Sequence, residues 1–426
     1  MIPALILFAV TYVLMLVFSK YRPYIAIASG LLYILTGMLP YTEIIGFIDF
    51  NVILMIAGTM GLVALFTESK MPALLADLVM EKVPNVKWAA VALSLFAGII
   101  SAFVDNVATV LMVAPIALAI CRKLKTNPVP FIIAIAVSSN LQGAATLIGD
   151  TTAIMLGSAL DMSFLDFFWY QGKPSIFFAV ELGAVLSAAI LLVIFRKETQ
   201  KIEKSTERTK VTDYVPSILL VLALILLVVV SFVPEKPDET NGIICCALLV
   251  VGLIYTLIRK KKLSAVVEPL KEIDFTTIGI LLGLFLMIGG ITKQGVIDAA
   301  ANLLASVGGG NVFLLYTILV WGSVLISAFI DNIPYVFTML PIVAGLAESL
   351  GIEPALLTPL YFGLLSGATL GGNCTPIGAS ANITGIGILR KEGYEVKNKD
   401  FFKIGIPFTL AAIIPAYIYI WLVYGI

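Results

Sequence analysis

The chain has 426 residues, of which 60% are hydrophobic and 13% are charged, and its 27 Lys and Arg balance its 27 Asp and Glu. A soluble domain is about half apolar and about a quarter charged, so this composition excludes a single soluble globule, and its hydrophobicity excludes a disordered chain. The zero net charge offers no basic surface for nucleic acid, and we expect an integral membrane protein with many helical spans.

The residue types that are missing narrow the chemistry further. There is no His, and the four Cys have neither metal-site nor disulfide spacing. We therefore expect no cofactor, and no nucleophile motif of an enzyme is present. Because the amino terminus lacks a basic region before its first apolar run, we expect that run to be a retained span rather than a cleaved signal.

Long apolar runs along the chain predict membrane spans. About 20 apolar residues are needed to cross a hydrocarbon core of about 30 Å. Runs near that length cover residues 2–18, 23–39, 50–66, 174–195, 215–233, 242–258, 276–291 and 403–425.

Two apolar stretches, 88–120 and 312–345, are too long for one span and too short for two. As a helix, each would measure about 50 Å at about 1.5 Å per residue. A re-entrant hairpin, which enters and leaves on the same side, fits this length. An irregular tip is tolerated at that depth only where protein or a water-filled cavity surrounds it.

Two further segments, about 130–160 and about 355–389, are interrupted by Gly- and Thr-rich sequence. Gly and Pro376 inside an apolar run break a helix, so both segments are predicted to be broken spans. The expected fold class is an all-α polytopic membrane protein with ten transmembrane crossings and two re-entrant hairpins.

The distribution of basic residues supports this layout. Lys and Arg accumulate on the cytoplasmic side of membrane proteins. With both termini outside the cytoplasm, every Lys and Arg except Lys173, Lys236 and Lys293 falls in a cytoplasmic segment. Those segments are 19–24, 67–87, 121–129, 196–214, 259–275 and 390–403.

The two halves of the chain resemble each other. The hexapeptide SAFVDN at 101–106 matches SAFIDN at 327–332, and Pro115 and Pro341 follow at the same spacing. Each half contains five predicted crossings, so the second half is expected to be inverted, as in many secondary transporters. The predicted organisation is a first inverted repeat at 1–195, a charged cytoplasmic linker at 196–214 and a second inverted repeat at 215–426.

The duplicated Asp105 and Asp331 are the strongest candidates for function. An ionisable residue near the bilayer centre costs about 2.5–3.5 kcal/mol even on a lenient scale. Each Asp could cap a hairpin helix, and it could also bind a cation or carry a proton. Carboxylate, carboxamide and hydroxyl oxygens are hard ligands that suit Na⁺. The predicted cation or proton site comprises Ser101, Asp105, Asn106, Ser327, Asp331 and Asn332.

The two predicted breaks offer a site for a solute. Free N–H groups and the positive dipole end of a half-helix favour an anion or a polar substrate. For Asp150, capping of the following half-helix and contact with an ion or substrate are both open. The predicted substrate site comprises Gly143, Thr146, Gly149, Asp150, Thr375, Gly378, Ser380 and Asn382.

These motifs resemble the ion transporter superfamily, in particular the branch of P protein, arsenite permeases and citrate transporters, which is related to divalent anion–sodium symporters. The segments 101–115 and 327–341 look like the hairpin motif of that branch, and 371–383 is similar to its second broken-helix signature. The resemblance covers nearly the whole chain. It implies a homodimer, and an elevator-like motion of a hairpin-bearing domain against a scaffold.

The chain departs from the family pattern at three places. Related dicarboxylate carriers have Ser-Asn-Thr at both hairpin tips, where they hold sodium and the substrate carboxylate. This chain keeps the Asn but has Asp105 and Asp331 before it and an aliphatic residue after it. The first break also lacks the Asn expected near position 153, whereas Asn382 is kept at the second.

The sequence as a whole indicates a secondary transporter in the cell membrane, coupled to Na⁺ or H⁺, that moves a small anionic or oxyanion-type solute by alternating access. A Na⁺/H⁺ antiporter that uses the paired Asp residues is an alternative, as is an arsenite-type efflux permease. An ion channel with acidic rings at its constriction is less favoured, because inverted hairpin repeats suit alternating access.

Overall fold

The structure is a computed structural model, and it describes residues 1–202 and 208–425. These residues form mainly α-helices, together with one antiparallel hairpin of two short strands, β1 (Trp169–Tyr170) and β2 (Lys173–Pro174). Backbone hydrogen bonds within a helix satisfy every peptide group locally, which is what a membrane span requires.

The first half of the chain forms ten helices. They are α1 (Ile2–Val17), α2 (Arg22–Leu35), α3 (Ile44–Phe47), α4 (Phe50–Glu68), α5 (Met71–Met80), α6 (Val86–Ser101), α7 (Asn106–Leu124), α8 (Val129–Gly143), α9 (Thr151–Ala159) and α10 (Ile176–Ile194).

The described part of the second half adds ten more. They are α11 (Val215–Val230), α12 (Thr240–Lys260), α13 (Ser264–Lys271), α14 (Phe275–Lys293), α15 (Val296–Gly308), α16 (Val312–Ser327), α17 (Asn332–Leu350), α18 (Thr358–Gly371), α19 (Ser380–Lys391) and α20 (Asn398–Tyr424).

Each of the eight predicted apolar runs is one helix in the structure. Seven helices (α4, α7, α10, α12, α14, α17 and α20) are long and apolar enough to cross a membrane, and the pair α15–α16, bent by 113°, would add an eighth span. Other apolar helices are shorter, α1 and α2 among them, at 16 and 14 residues. A polytopic helical membrane protein is therefore observed, whereas the count of ten crossings stays a prediction.

The predicted interruptions lie where the helices end. The stretch 88–120 is divided between α6 and α7, and 312–345 between α16 and α17. Within 130–160 the chain leaves the helix from 144 to 150, and within 355–389 a short 3₁₀ turn at Gly372–Cys374 separates α18 from α19. Both predicted helix breaks are thus present, whereas the crossing of the membrane by these segments and the re-entrant path of the two hairpins stay predictions.

The search for apolar runs long enough to span a membrane did not predict the helices α5, α13 and α15. They have 10, 8 and 13 residues, which is too short for a span. The first lies in a segment predicted as a cytoplasmic connection, as does α13, and α15 lies in a predicted outer loop.

The linker predicted at 196–214 is partly docked on the first half, and its residues 203–207 lie outside the described residues. The Val86 amide donates to the Gln200 carbonyl at 3.0 Å, and the Thr209 amide donates to Asp77 Oδ2 at 2.8 Å. The described parts of the linker are therefore held against α5 and the start of α6.

Helix packing places the hairpins and broken helices in the middle of the protein. The main buried cluster joins α6–α10 with α16–α20, whereas α1, α2 and α14 build one smaller cluster and α4, α11 and α12 another. Every residue of α18 is buried, as is every residue of α8 except the half-buried Pro130. At the tips of the two hairpins Ala102 and Ala328 are buried, whereas Phe329 of the second tip is 65% exposed.

Candidate functional site

Each hairpin tip ends in an Asp that caps the following helix. Asp105 Oδ2 accepts hydrogen bonds from the amides of Val107, at 3.0 Å, and Ala108, at 3.1 Å. Asp331 Oδ1 accepts one from the amide of Ile333 at 3.2 Å. The first amides of a helix have no partner within the helix, and an Asp in the preceding position satisfies them.

The first broken segment is fastened to the first hairpin tip. The Thr146 hydroxyl donates to the carbonyl of Ala102. Gly149 lies so close that a Cβ built on it would be 2.9 Å from the Ala102 oxygen and 2.9 Å from the Ser101 oxygen. Only a residue without a side chain allows this approach. Gly143 lies beside Gly149 in the same contact.

The second broken segment repeats this contact at the second tip. The Thr375 hydroxyl donates to the carbonyl of Ala328, and a Cβ on Gly378 would be 2.8 Å from the same oxygen and 2.9 Å from that of Ser327. Each broken helix is therefore joined to its hairpin by one Thr and one Gly, which are Thr146 and Gly149 in the first half and Thr375 and Gly378 in the second.

Removal of one of these hydroxyls should loosen the contact. In a Thr375→Val variant the Ala328 carbonyl is left buried without its donor, which costs about 1–3 kcal/mol. We expect a lower midpoint of thermal unfolding for the purified protein, and recovery of most of that loss in Thr375→Ser, which keeps the hydroxyl. Equal midpoints for the valine variant and the parent would contradict this role.

Five of the predicted site residues line one central cavity of about 470 Å³: Asp105, Asn106, Asp150, Asn332 and Ser380. The cavity therefore combines residues of both hairpins and of both broken helices. The other nine predicted residues lie around the cavity or in the contacts just described.

Four helices begin at this cavity. The first residues of α7, α9, α17 and α19, which are Asn106, Thr151, Asn332 and Ser380, all line it. The N-terminal end of a helix carries unpaired N–H groups and a partial positive charge. Because Asp105 and Asp331 already cap α7 and α17, the ends of α9 and α19 are the ones that favour negative charge.

Asp150 does not cap α9 with its side chain, although it directly precedes that helix. Its Oδ2 accepts from the Thr152 hydroxyl at 2.9 Å and from the side-chain Nδ2 of Asn332 at 3.4 Å. Its carboxylate is thus turned toward the second hairpin and borders the cavity. Both roles of Asp150, capping of α9 and contact with an ion or a substrate, stay predictions.

Further acidic residues surround the same cavity. Glu68, Glu268, Glu272 and Asp274 line it, and no Lys or Arg does so in the part of the chain that the structure describes. Two of these carboxylates are paired outside the cavity, Glu68 with Lys260 and Glu268 with Lys271. The acidic side chains therefore make the cavity attractive to cations, whereas the N-terminal ends of helices favour anions.

Two buried Asn residues that the sequence patterns did not indicate, Asn140 and Asn373, form a hydrogen-bonded chain with Asn106. Asn106 Nδ2 donates to Asn140 Oδ1 at 3.0 Å, and Asn140 Nδ2 donates to Asn373 Oδ1 at 3.0 Å. All three are at most 5% exposed. Three carboxamides within apolar helices were the available signal, because buried polar groups need partners. The chain links the first hairpin to both broken helices.

The remaining predicted residues are buried within this core. Ser101 Oγ accepts from Ser139 Oγ at 3.1 Å, and Ser327 Oγ donates to a carbonyl of α18. Asn382 Nδ2 donates to the carbonyls of Gly372 and Thr375, each at 3.0 Å. These side chains stabilise the irregular backbone, and they do not line the central cavity.

Asp331 lies apart from the central cavity and is paired with an Arg. Arg22 NH1 is 3.2 Å from Asp331 Oδ2, and both residues line a separate small cavity of about 30 Å³. The sequence assigned Arg22 only to a cytoplasmic connection, so this pair was not predicted. The two hairpin carboxylates therefore differ in their partners.

The site offers oxygen ligands rather than a conventional metal cluster. Within residues 1–202 and 208–425, no group of three or more Asp, Glu or Cys side chains is arranged to hold a metal ion. Six carboxylates, two carboxamides and four hydroxyls border the central cavity. Such hard oxygen atoms suit an alkali cation or a proton.

Comparison with known proteins gives consistent relatives. The citrate transporter family matches residues 8–363 and 247–426. An uncharacterised transporter of Mycobacterium tuberculosis is 32% identical over 332 residues, which cover 78% of this chain and 76% of that protein. The P protein of Mus musculus is 26% identical over 444 residues, covering 87% of this chain and 53% of that protein.

The fold is similar to the crystal structure of the YdaH transporter from Alcanivorax borkumensis, with a TM-score of 0.60 over 90% of this chain and 88% of that chain. At 13% identity this likeness concerns the fold alone. The resemblance drawn from the sequence motifs is confirmed by the family match and by the P protein. The protein is a membrane transporter and not an enzyme, and the chain belongs to the citrate transporter family.

Proposed function

We propose that this protein is a secondary transporter that uses Na⁺ or H⁺ to move a small anionic or oxyanion-type solute by alternating access. The observation that carries the proposal is the central cavity, where Asp105 and Asp150 meet the N-terminal ends of four helices. One cavity thus offers carboxylate oxygens for a cation and backbone N–H groups for an anion.

The coupling cation is assigned to the side of the first hairpin. Asp105 uses Oδ2 to cap α7, and among the described residues its Oδ1 receives no hydrogen bond. Asp105, Asn106 and Asp150 line the same cavity. An uncompensated carboxylate at membrane depth is costly, and a bound Na⁺ or proton would neutralise it.

The solute is assigned to the helix ends. A carboxylate or oxyanion there would accept hydrogen bonds from the amides at the starts of α9 and α19, where Thr151 and Ser380 add hydroxyl groups. Bound cation and bound anion would then stabilise each other across a short distance. This mutual attraction couples the two fluxes, because neither ion binds well alone.

The direction in which the cavity opens follows from the predicted topology. Glu268 and Glu272 line it, and the segment 259–275 is predicted to be cytoplasmic. We therefore propose an inward-facing state in the plasma membrane, with both termini outside the cytoplasm. The homodimer and the elevator-like motion remain proposals that rest on the family resemblance.

Equivalent contacts in the two halves support the proposed inverted repeats, 1–195 and 215–426. Asp49 caps α4 through the Val52 amide, and Asp274 caps α14 through the Thr277 amide, each at 3.0 Å. Helix α4 packs on α12 just as α14 packs on α2. The hydrogen bonds from Thr146 to Ala102 and from Thr375 to Ala328 are likewise equivalent in the two halves, and they lie at the hairpin tips.

Transport by the purified protein in proteoliposomes tests this function. A panel of dicarboxylates, citrate, oxyanions and arsenite is first screened by thermal shift with and without Na⁺, and ligands that stabilise the protein are then tested for uptake. Saturable uptake driven by an imposed Na⁺ or pH gradient supports the proposal. Ohmic currents far above carrier turnover, or uptake that is indifferent to both gradients, contradict it.

A Na⁺/H⁺ antiporter is the second candidate, and the acidic lining of the cavity favours it. Among the described residues no basic side chain faces the cavity, and an antiporter would need only the carboxylates. Exchange of internal H⁺ for external Na⁺ in liposomes without any organic or oxyanion solute would identify this activity.

The exposed acidic residues of the cavity lining, here called the acidic rim and including Glu272, should concentrate the coupling cation. We expect Glu272→Gln to raise the apparent KM for the cation about two- to fivefold at an ionic strength of 20 mM, and to have little effect at 300 mM, where ions screen exposed charges. The matched control is Glu395→Gln, an exposed residue outside the cavity. An unchanged KM at low ionic strength would remove the rim from the mechanism.

A further inference from the structure

The duplicated hairpin Asp residues occupy equivalent places but have different partners. Each precedes a helix and accepts the amide two residues further on, Val107 for Asp105 and Ile333 for Asp331. Asp105 lines a cavity that has no basic side chain among the described residues. The free oxygen of Asp331 is 3.2 Å from the guanidinium of Arg22.

The space beside the two carboxylates differs in the same way. The cavity at Asp105 measures about 470 Å³, whereas the one at Asp331 measures about 30 Å³ and is lined in part by Arg22. One water needs about 10–15 Å³ measured in this way. The second cavity therefore has room for only one or two waters, and the guanidinium of Arg22 already borders it beside Asp331.

Arg22 is held firmly in this position. Its Nε donates to the Met15 carbonyl at 3.1 Å, and its side chain is 24% exposed. Close by, the Tyr12 hydroxyl donates to the Pro334 carbonyl at 2.6 Å and is hydrogen-bonded to Thr338. The turn between α1 and α2 and the start of α17 are thus joined around the ion pair.

We propose that Arg22 is a tethered cation that fills the place of a coupling ion at Asp331, so that the chain binds one exchangeable cation, at Asp105, in this conformation. This inference rests on the proposed cation coupling. An Arg side chain keeps its charge at physiological pH and cannot leave. It neutralises Asp331 permanently in this state, while Asp105 depends on an ion from solution.

The arrangement also gives Asp331 a role in the transport cycle. Arg22 belongs to the helix pair α1–α2, and Asp331 belongs to the second hairpin. Motion of the hairpin relative to α1–α2 would separate the two charges and expose Asp331 to a cation from solution. The number of bound cations would then differ between the two ends of the cycle.

Equilibrium binding of ²²Na⁺ to the purified full-length protein tests the inference. We expect one Na⁺ per chain in the parent, two in Arg22→Gln, and one again in the double variant Arg22→Gln/Asp331→Asn. Arg22→Lys, which keeps a tethered charge, should bind one. A parent that binds two, or Arg22→Gln that binds no more than the parent, overturns the inference.

Single variants of the two Asp residues keep the test decisive even where Arg22→Gln does not fold. Asp105→Asn should lose the single bound Na⁺, whereas Asp331→Asn should retain it, and loss of Na⁺ from Asp331→Asn would overturn the inference. A parent without bound Na⁺ contradicts Na⁺ coupling at Asp105 in the proposed function. In that case, one more bound Na⁺ in Arg22→Gln than in the parent would still support the inference that Arg22 fills the place of a cation at Asp331.

Discussion

Replacement of Asp105 by Asn is expected to abolish cation-coupled transport while the protein still inserts and folds. Asn preserves the helix cap, because its side-chain oxygen can accept from the Val107 and Ala108 amides as the carboxylate does. The substitution therefore removes the charge and little else. Without that charge a bound Na⁺ or proton has nothing to neutralise, and we expect uptake to fall about 100-fold or more, which corresponds to about 3 kcal/mol.

The measurement is uptake into proteoliposomes under an imposed Na⁺ or pH gradient, together with size-exclusion profiles of the purified variant. Asp298→Asn is the matched control, since Asp298 is exposed on α15 and lines neither cavity. We expect parental rates from the control. Parental rates from Asp105→Asn would show that this carboxylate does not couple the cation to transport.

Much of the fold was predictable because membrane helices are specified by local sequence. Each long apolar run is a helix, since an unpaired peptide group in lipid costs several kcal/mol wherever it occurs. The ends of α7 and α17 were equally visible, because Asp105 and Asp331 are polar residues in apolar surroundings and cap the helices that follow. These features depend on neighbours in the chain.

The parts that could not be predicted depend on contacts between distant segments. Arg22 and Asp331 are 309 positions apart, and Asn140 and Asn373 are 233 positions apart. Hydropathy and spacing carry no information about such pairs. Arg22 also has an ordinary explanation as a topology signal, which concealed its second role.

The two halves are similar in backbone contacts but different in chemistry. Asp150 of the first broken helix reaches Asn332 of the second hairpin, whereas Asn106 of the first hairpin pairs with Asn140 of α8. Within residues 1–202 and 208–425, the second hairpin carboxylate is paired with an Arg and the first is not. A duplicated scaffold can thus bring two similar hairpins together and still build one asymmetric site, which is what binding of two unlike ions requires.

Substitution of Gly149 by Ala should disrupt the contact on which this site is built. A Cβ at Gly149 would lie 2.5 Å from the Gly143 oxygen and 2.9 Å from the oxygens of Ser101 and Ala102. All three atoms belong to the backbone and cannot turn away, so the first broken helix and the hairpin tip must separate. Such overpacking costs about 3 kcal/mol, and we expect thermal unfolding several degrees lower together with loss of coupled uptake.

A glycine in open space provides the control for this substitution. Nothing lies within 4 Å of a Cβ built on Gly322 of α16, so Gly322→Ala should leave the unfolding temperature and uptake unchanged or slightly improved, as Ala favours helix over Gly by about 1 kcal/mol. Gly378→Ala should reproduce the loss, because its Cβ would lie 2.6 Å from the Gly372 oxygen. Tolerance of Ala at both Gly149 and Gly378 would mean that the hairpins and broken helices are not held by this close backbone contact. A large loss at both, with none at Gly322, would instead show that the distance between hairpin tip and broken helix controls stability and transport together.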